Sequence, residues 1–413
     1  MRGRIRLGLQ GPFTGRRGGR EKKGGVHESH PPLLSSSLFT LAPSRARRAL
    51  RPAWRGWAVM LFWLPLAALA DGAPAPSPYL PVLSSYVQIR YTDPSQGDDT
   101  WAIRRLKLML DGGPSEGIHY HLQFIYKTNL QSSTDGQVYL QDAYVVIPAA
   151  KALVFKLGQF VPPFGPERFE PDWKLDLVDR TDVTNRMVVN GNLGKSFARD
   201  RGVEGDWTKG GFSLSVGFFQ GEGANMNPMG NGPLGVARLS YGGKGGADGS
   251  AWHWRAGLAA SDRHDSDLNL SAEFPGVSPK LTSHFAGRDS RFNVFAEASF
   301  GKVRGQVEVF RTWLSPSRGS EISAHGAYGQ VAYLPVRQII LALRYEAFTP
   351  DVHEPDVASQ DLWTAGVTVD VPKTSLRLAC DYSHPTTTWP RTHGDVVRVQ
   401  LQWIFPSWHV SGE

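Results

Sequence analysis

The sequence predicts an all-β protein, a transmembrane antiparallel barrel of about sixteen strands. Three observations predict it. Apolar and polar side chains alternate along many short segments, about sixteen such segments recur, and the connections between them alternate between short and long. A barrel with a wet interior accounts for all three, because its outer face meets lipid, its inner face meets water, and loop length differs between its two ends.

The alternation is clearest in the last predicted strand, residues 397–405. Side chains alternate faces along a strand, so one face is apolar and the other polar. The apolar face consists of Val397, Val399, Leu401, Trp403 and Phe405, and the polar face of Arg398, Gln400 and Gln402. A soluble barrel with an apolar core would also alternate, so alternation alone leaves that possibility open.

The connections favour the membrane barrel. Strands are expected to start near residues 83, 99, 116, 136, 151, 198, 211, 233, 251, 291, 302, 326, 337, 361, 373 and 394. The connections after odd-numbered strands are mostly long: 128–135, 161–197, 221–232, 261–290, 313–325, 349–360 and 384–393. Those after even-numbered strands are mostly short, such as 148–150 and 335–336. Outer-membrane barrels have this arrangement, with long external loops and short periplasmic turns.

The positions of charged and aromatic residues agree with a lipid-facing outer wall. A Lys or Arg facing lipid at mid-membrane costs ~2–4 kcal/mol, so strand arginines are expected to line the water-filled lumen. The arginines on the polar faces of their strands are Arg255, Arg304, Arg344, Arg377 and Arg398. Aromatic residues near strand ends suit interfacial girdles; these are Tyr91, Tyr126, Tyr345, Trp403 and Phe405.

The formal charge of +7 arises from the N-terminal part of the chain. Residues 1–70 carry 13 basic and 2 acidic residues, which leaves 45 − 13 = 32 basic and 38 − 2 = 36 acidic residues, a net charge near −4. Nucleic-acid binding therefore loses its compositional support, and no nucleic-acid partner is expected.

Residues 1–70 are interpreted as an N-terminal extension and a signal peptide. Four arginines precede the apolar segment 57–66, and Ala68–Ala70 fits a cleavage site. A transmembrane anchor is the alternative, but the apolar run of about fourteen residues is shorter than the ~20 that a spanning helix needs. The expected organisation continues with a short segment 71–82, the barrel 83–405 and a tail 406–413.

The sequence offers no catalytic or cofactor site. The single cysteine, Cys380, excludes an intramolecular disulfide and a cysteine-based zinc site. His119 and His121 share a strand face without a third ligand, and Gly242–Gly246 lacks the pattern of a phosphate-binding loop. We expect no cofactor, no metal and no enzymatic activity.

The longest connection, residues 161–197, is the third external loop and is expected to fold inward and narrow the channel. Three prolines stiffen its start, and apolar residues are spaced through it so that they could pack against the wall. An ordered external flap is the alternative. The residues assigned to the constriction are Pro162, Phe164, Glu167, Asp176, Asp179 and Arg180.

The sequence also contains a set of short motifs, most of them in the first half of the predicted barrel. They are Arg104-Arg105-Leu106-Lys107-Leu108, Leu140-Gln141-Asp142-Ala143-Tyr144, Lys156-Leu157-Gly158-Gln159-Phe160, Pro163-Phe164-Gly165, Glu167-Arg168, Asp176-Leu177-Val178-Asp179-Arg180, Arg199-Asp200-Arg201-Gly202-Val203 and the later Gly329-Gln330-Val331-Ala332-Tyr333-Leu334. In their order and spacing, the chain resembles the phosphate-selective porin O and P family. The resemblance implies a sixteen-stranded homotrimeric porin in the outer-membrane lipid that passes small anions such as phosphate or polyphosphate.

Anion selectivity would need lumen cations that replace the water around an anion. The candidates for lining the channel or binding anions are Arg90, Arg105, Lys107, Lys127, Lys156 and Arg168. Two features depart from phosphate specificity. Val161 stands where a phosphate-binding member of the family is expected to have a cation. The segment 161–197 holds six acidic and five basic residues. A general or sugar porin, or a surface barrel that binds through 261–290, are therefore the alternatives.

Overall fold

The computed structural model describes residues 79–114, 117–128, 136–195, 197–228, 230–246, 251–353, 359–387 and 394–409. The extension and signal peptide expected in residues 1–70 lie outside the described residues.

The sixteen strands form one closed antiparallel barrel, in which each strand pairs with its sequence neighbours and β1 pairs with β16. The strands are β1 Val82–Pro94, β2 Thr100–Gly112, β3 His119–Lys127, β4 Gln137–Ala150, β5 Leu153–Phe160, β6 Asp200–Lys209, β7 Phe212–Phe219, β8 Leu234–Gly245, β9 Trp252–Leu268, β10 Phe285–Phe300, β11 Val303–Pro316, β12 Ile322–Tyr333, β13 Ile339–Thr349, β14 Gln360–Asp370, β15 Leu376–Pro385 and β16 Val396–His409. The predicted fold class is confirmed. Closure leaves no unpaired strand edge, as lipid requires.

Among the residues that the structure describes, helical structure is limited to short pieces in two connections. A 3-10 helix, Pro166–Phe169, and helix α1, Asp182–Met187, lie between β5 and β6. Helix α2, Pro279–Thr282, lies between β9 and β10. The backbone N–H of Thr184 donates to the side chain of Thr181 at 3.0 Å and so caps α1. No helix in the described part of the chain has the length and apolar character needed to span a membrane.

The barrel is polar inside and apolar outside. On β13, Leu341 and Leu343 are each 45% exposed on the outer face, whereas Arg344 and Glu346 are buried in the interior. The same alternation runs along the other strands, where exposed large apolar side chains recur at every second position. The outer wall therefore needs lipid to cover it.

The strand ends differ from the prediction at two connections. The expected loops 261–290 and 313–325 are wrong in extent, because the connections occupy only 269–284 and 317–321. The strands continue beyond the apolar zone with polar residues on both faces; Arg288, for example, pairs with Asp262 on the outer face at 2.7 Å. Hydrophobic alternation stops there, so it could not reveal the strand.

The last strand also extends further than expected. Val82 at the start of β1 pairs with His409, and Leu83 pairs with Trp408, so β16 passes Phe405. The first part of the expected tail 406–413 is thus strand, and residues 410–413 lie outside the described part of the chain.

Residues 161–199, called loop 3 here, connect β5 to β6 and take part in an apolar cluster against the inner wall. Its buried residues include Phe164, Val183, Met187 and Val188 from loop 3. The other members come from the wall strands β5 and β7 to β14 and from the connection 269–284, among them Phe310, Leu314, Phe348, Leu270 and Phe274. Burial of these side chains fixes loop 3 to one part of the wall.

Candidate functional site in the barrel lumen

Three wall carboxylates accept hydrogen bonds from the backbone of loop 3. They lie at inward positions of the alternate strands β11, β13 and β15. The donors are Glu167 N to Glu308 at 2.8 Å, Val183 N to Glu346 at 3.2 Å and Val178 N to Asp381 at 3.0 Å. Buried N–H groups and carboxylates both need partners, so each bond satisfies two groups at once.

Loop 3 also faces a row of cations, called the basic stripe here. It consists of Arg90 on β1, Arg104, Arg105 and Lys107 on β2, and Arg398 on β16. Sequence alternation predicted only one of the two adjacent arginines on the inner face. A bulge changes this, because Gln88 pairs with Arg105 while Ile89 pairs with Ile103. The extra residue in β2 lets both arginines reach loop 3.

Asp179 of loop 3 lies among three arginines of the basic stripe. Its carboxylate is 2.7 Å from Arg90 Nη1, 3.7 Å from Arg104 Nη2 and 3.9 Å from Arg398 Nε. Burial by itself would raise the pKa of Asp179. The arginine charges, Arg90 foremost, more than offset it and hold the pKa well below its usual range. Asp179 is therefore an ionised counter-charge at neutral pH.

Asp172 has the same role one step along the stripe. Its carboxylate is 2.9 Å from Arg105 and 2.6 Å from Lys107 Nζ, and it also pairs with Arg180 of loop 3. Burial opposes ionisation, but these three cations hold the pKa of Asp172 well below its usual range. Asp172 was not among the predicted site residues, although its position beside the apolar Trp173 was visible in the sequence.

The other predicted cations lie further from the stripe. Lys127 Nζ is 3.4 Å from the centre of the Phe197 ring. Lys156 Nζ is 3.2 Å from Glu204. Arg168 donates to the backbone oxygen of Phe197 at 3.2 Å. The six predicted cations therefore do not form one cluster.

The predicted constriction residues have distinct contacts. Pro162 is buried, and the Phe164 ring lies 6.3 Å from that of Phe310. The Glu167 carboxylate accepts from the hydroxyl of Thr181 at 2.6 Å. Asp176 pairs with Arg304 and accepts from Gln330 Nε2 at 3.2 Å, while Asp179 and Arg180 take part in the pairs described above. All six residues lie in or beside the contact between loop 3 and the wall.

Beside loop 3 the lumen contains a cavity of about 190 Å³. Its lining holds three cations and five carboxylates: Lys174, Arg304, Arg344, Glu167, Glu170, Asp176, Asp179 and Glu297. This mixed lining gives the solute space beside loop 3 carboxylates as well as cations.

Arg199 and Arg238 are lumen cations that sequence reasoning missed. Arg199 Nη2 pairs with Asp142 at 3.1 Å. The guanidinium of Arg238 lies 4.5 Å from the centre of the Phe169 ring. Arg199 belongs to the motif 199–203 described above. Arg238 lies on the polar face of β8, so strand alternation could have identified Arg238 as a lumen cation.

The model of the family described as "phosphate-selective porin O and P" matches residues 84–405, nearly the whole barrel. The chain belongs to this family. Because that family and this fold are those of outer-membrane porins, the protein is a porin of the outer membrane, as the motif resemblance predicted. No curated relative matches the chain in sequence.

Solved structures with a similar fold are also outer-membrane proteins. Salmonella typhi OmpF in complex with daunomycin is 12% identical, with a TM-score of 0.56 over 79% of this chain and 98% of that one. An anion-selective porin from Comamonas acidovorans is 12% identical, with a TM-score of 0.53 over 78% and 98%. The trimer form of OmpT, an outer membrane protein from Vibrio cholerae, is 14% identical, with a TM-score of 0.50 over 79% and 100%. At these identities the similarity shows only the fold of this porin.

Proposed function

We propose that this porin is a passive diffusion channel for small hydrophilic solutes, narrowed by loop 3, with a modest preference for anions. The observation that carries the proposal is the excess of positive charge where loop 3 meets the basic stripe. The five stripe cations face three carboxylates: Asp172, Asp179 and Asp381. Fixed lumen charge of one sign raises the local concentration of ions of the opposite sign.

Phosphate is proposed as one permeant anion among several and not as a tightly bound solute. Phosphate is strongly hydrated, so a selective site must offer several donors that replace its water. In this porin loop 3 carboxylates already occupy donors of Arg90, Arg105 and Lys107. The family description and the Comamonas neighbour support anions in general.

Assembly and export are proposed on separate grounds. The trimer form of the OmpT neighbour and the family resemblance support a homotrimer in outer-membrane lipid. The arginine-rich and apolar segments before Asp71 support export through a signal peptide. Native mass spectrometry in detergent and N-terminal sequencing of the mature protein test these two proposals.

Planar bilayers test the channel directly. With the purified porin in a tenfold KCl gradient, we expect ohmic single-channel steps and a reversal potential of the sign set by chloride. Replacing chloride with phosphate should leave a current that does not saturate at low phosphate concentration. A saturating current with block by phosphate would instead support a phosphate-specific porin. A zero reversal potential would support a general porin, and the absence of current would support a surface-binding barrel.

A further inference from the structure

Arg238 and Phe169 form a contact between loop 3 and a strand far from the basic stripe. Phe169 ends the 3-10 helix of loop 3 and is 37% exposed although it lies within the barrel. Arg238 projects from the inner face of β8, and its guanidinium lies 4.5 Å from the centre of the Phe169 ring. An aromatic face thus meets lumen water beside a cation.

Three carboxylates whose charges act on Arg238, those of Glu204, Asp206 and Glu308, bond to other groups. Glu204 pairs with Lys156 at 3.2 Å, and Asp206 accepts from the Ser215 hydroxyl. Glu308 accepts from Glu167 N at 2.8 Å, Tyr328 Oη at 2.8 Å and Asn293 Nδ2 at 3.0 Å. Within the described ranges Arg238 has no hydrogen bond or ion pair, and its guanidinium lies over the Phe169 ring. Its guanidinium fork can therefore accept a ligand.

Other rings in the lumen also lie beside cations. A cation within about 6 Å of a ring centre is attracted to the negative face of the ring. Further pairs are Lys156 with Phe160 at 4.7 Å and with Tyr144 at 5.6 Å, Lys174 with Trp173 at 4.8 Å and Arg255 with Phe295 at 5.8 Å. Such surfaces suit solutes that have a flat ring and a negative charge.

We propose that Phe169 and Arg238 form a binding site for planar aromatic carboxylates, of which benzoate is the simplest. The carboxylate would receive two parallel N–H bonds from the Arg238 fork. The ring would lie against Phe169, which removes apolar surface from water. The inference rests on the proposed channel, because the solute reaches the site through the lumen. The 190 Å³ cavity beside loop 3 reaches Glu170, the residue next to Phe169.

The test compares two carboxylates of equal charge and similar size. In planar bilayers with the purified porin, benzoate should permeate about two- to fivefold better than cyclohexanecarboxylate, because only benzoate has an aromatic face. Phe169→Leu keeps an apolar side chain and should bring the ratio close to one. Arg238→Lys keeps the charge and loses the planar fork, so it should lower benzoate permeation relative to chloride.

The control is Phe218→Leu, which changes an outward-facing phenylalanine that is 64% exposed. It should leave the ratio as in the wild type. Equal permeation of the two carboxylates in the wild type would overturn the site while the chloride current still supports the porin. If no current flows, the channel proposal fails. Calorimetric titration of the detergent-solubilised protein with benzoate then decides the site: binding that Phe169→Leu weakens supports it, and no binding overturns it.

Discussion

Asp179 has three arginines within 4 Å, and its negative charge is the most exposed counter-charge of the basic stripe. Its side chain is 27% exposed and borders the cavity beside loop 3. At this position one carboxylate limits how strongly three guanidinium groups act on a passing ion.

Asp179→Asn should therefore increase the preference of the channel for anions. A unit charge about 7 Å from an ion in water contributes about 0.6 kcal/mol, a factor of about three in local concentration. We expect the ratio of chloride to potassium permeability to rise by about that factor, measured from the reversal potential in a KCl gradient. Asp262→Asn removes the same charge from the outer face, where Asp262 pairs with Arg288, and serves as the control. An equal rise in both variants would contradict the role of Asp179.

The same comparison has a defined pH dependence. Because the pKa of Asp179 is held well below its usual range, the carboxylate stays ionised at pH 4, where an ordinary aspartate is about half protonated. The difference in permeability ratio between the wild type and Asp179→Asn should therefore be nearly the same at pH 7 and pH 4. It should disappear only as the pH falls through the lowered pKa of Asp179. Loss of most of the difference by pH 4 would show an ordinary aspartate.

Loop 3 is the element whose position the sequence specified least well. Its length and apolar residues were readable in the sequence, and so was its place between the fifth and sixth strands. Its partners were not, because they lie on strands hundreds of residues away, such as Asp381 opposite Val178. The bulge that turns Arg104 inward was equally hidden, since a strict two-residue period places adjacent residues on opposite faces.

Asp381→Asn tests how the wall holds loop 3. Asp381 accepts from Val178 N and from Arg398 Nη1, each at 3.0 Å. Bonds to a charged acceptor contribute about 1.5–3 kcal/mol, and the neutral amide retains part of this. Amides in residues 176–180 should exchange with deuterium about tenfold faster, measured by mass spectrometry of the protein in lipid vesicles.

Glu297→Gln is the matched control for this element. Glu297 also lies on the inner wall, but it pairs with Arg255 at 3.1 Å and not with the backbone of loop 3. Exchange in residues 176–180 should remain as in the wild type. Unchanged exchange in Asp381→Asn as well would mean that apolar packing alone fixes loop 3.

For the whole molecule, the distribution of charge is that of a barrel with a polar interior and an apolar outer face. The interior holds buried ionic pairs such as Arg344 with Glu346, whose closest atoms are 2.9 Å apart, while adjacent outward side chains are apolar. This part of the structure could be predicted from sequence because alternation is local and needs only the period of a strand. The strand ends beyond the apolar zone could not be predicted, because polar residues lie on both faces there and the alternation stops.

Leu343→Arg tests whether the apolar outer face of the barrel meets lipid. Leu343 lies near the middle of β13, points outward and is 45% exposed, one position before the inward Arg344. An arginine facing lipid near the midplane costs about 2–4 kcal/mol, and the cost falls to about 0–1 kcal/mol near the interface. The free energy of unfolding, measured by guanidinium titration in lipid vesicles, should fall by about 2–4 kcal/mol. Val336→Arg, in the connection 334–338 before β13, should lower it by less than about 1 kcal/mol, because Val336 is exposed beyond the strand ends. Equal losses in the two variants would mean that the outer face of β13 does not meet the hydrocarbon core.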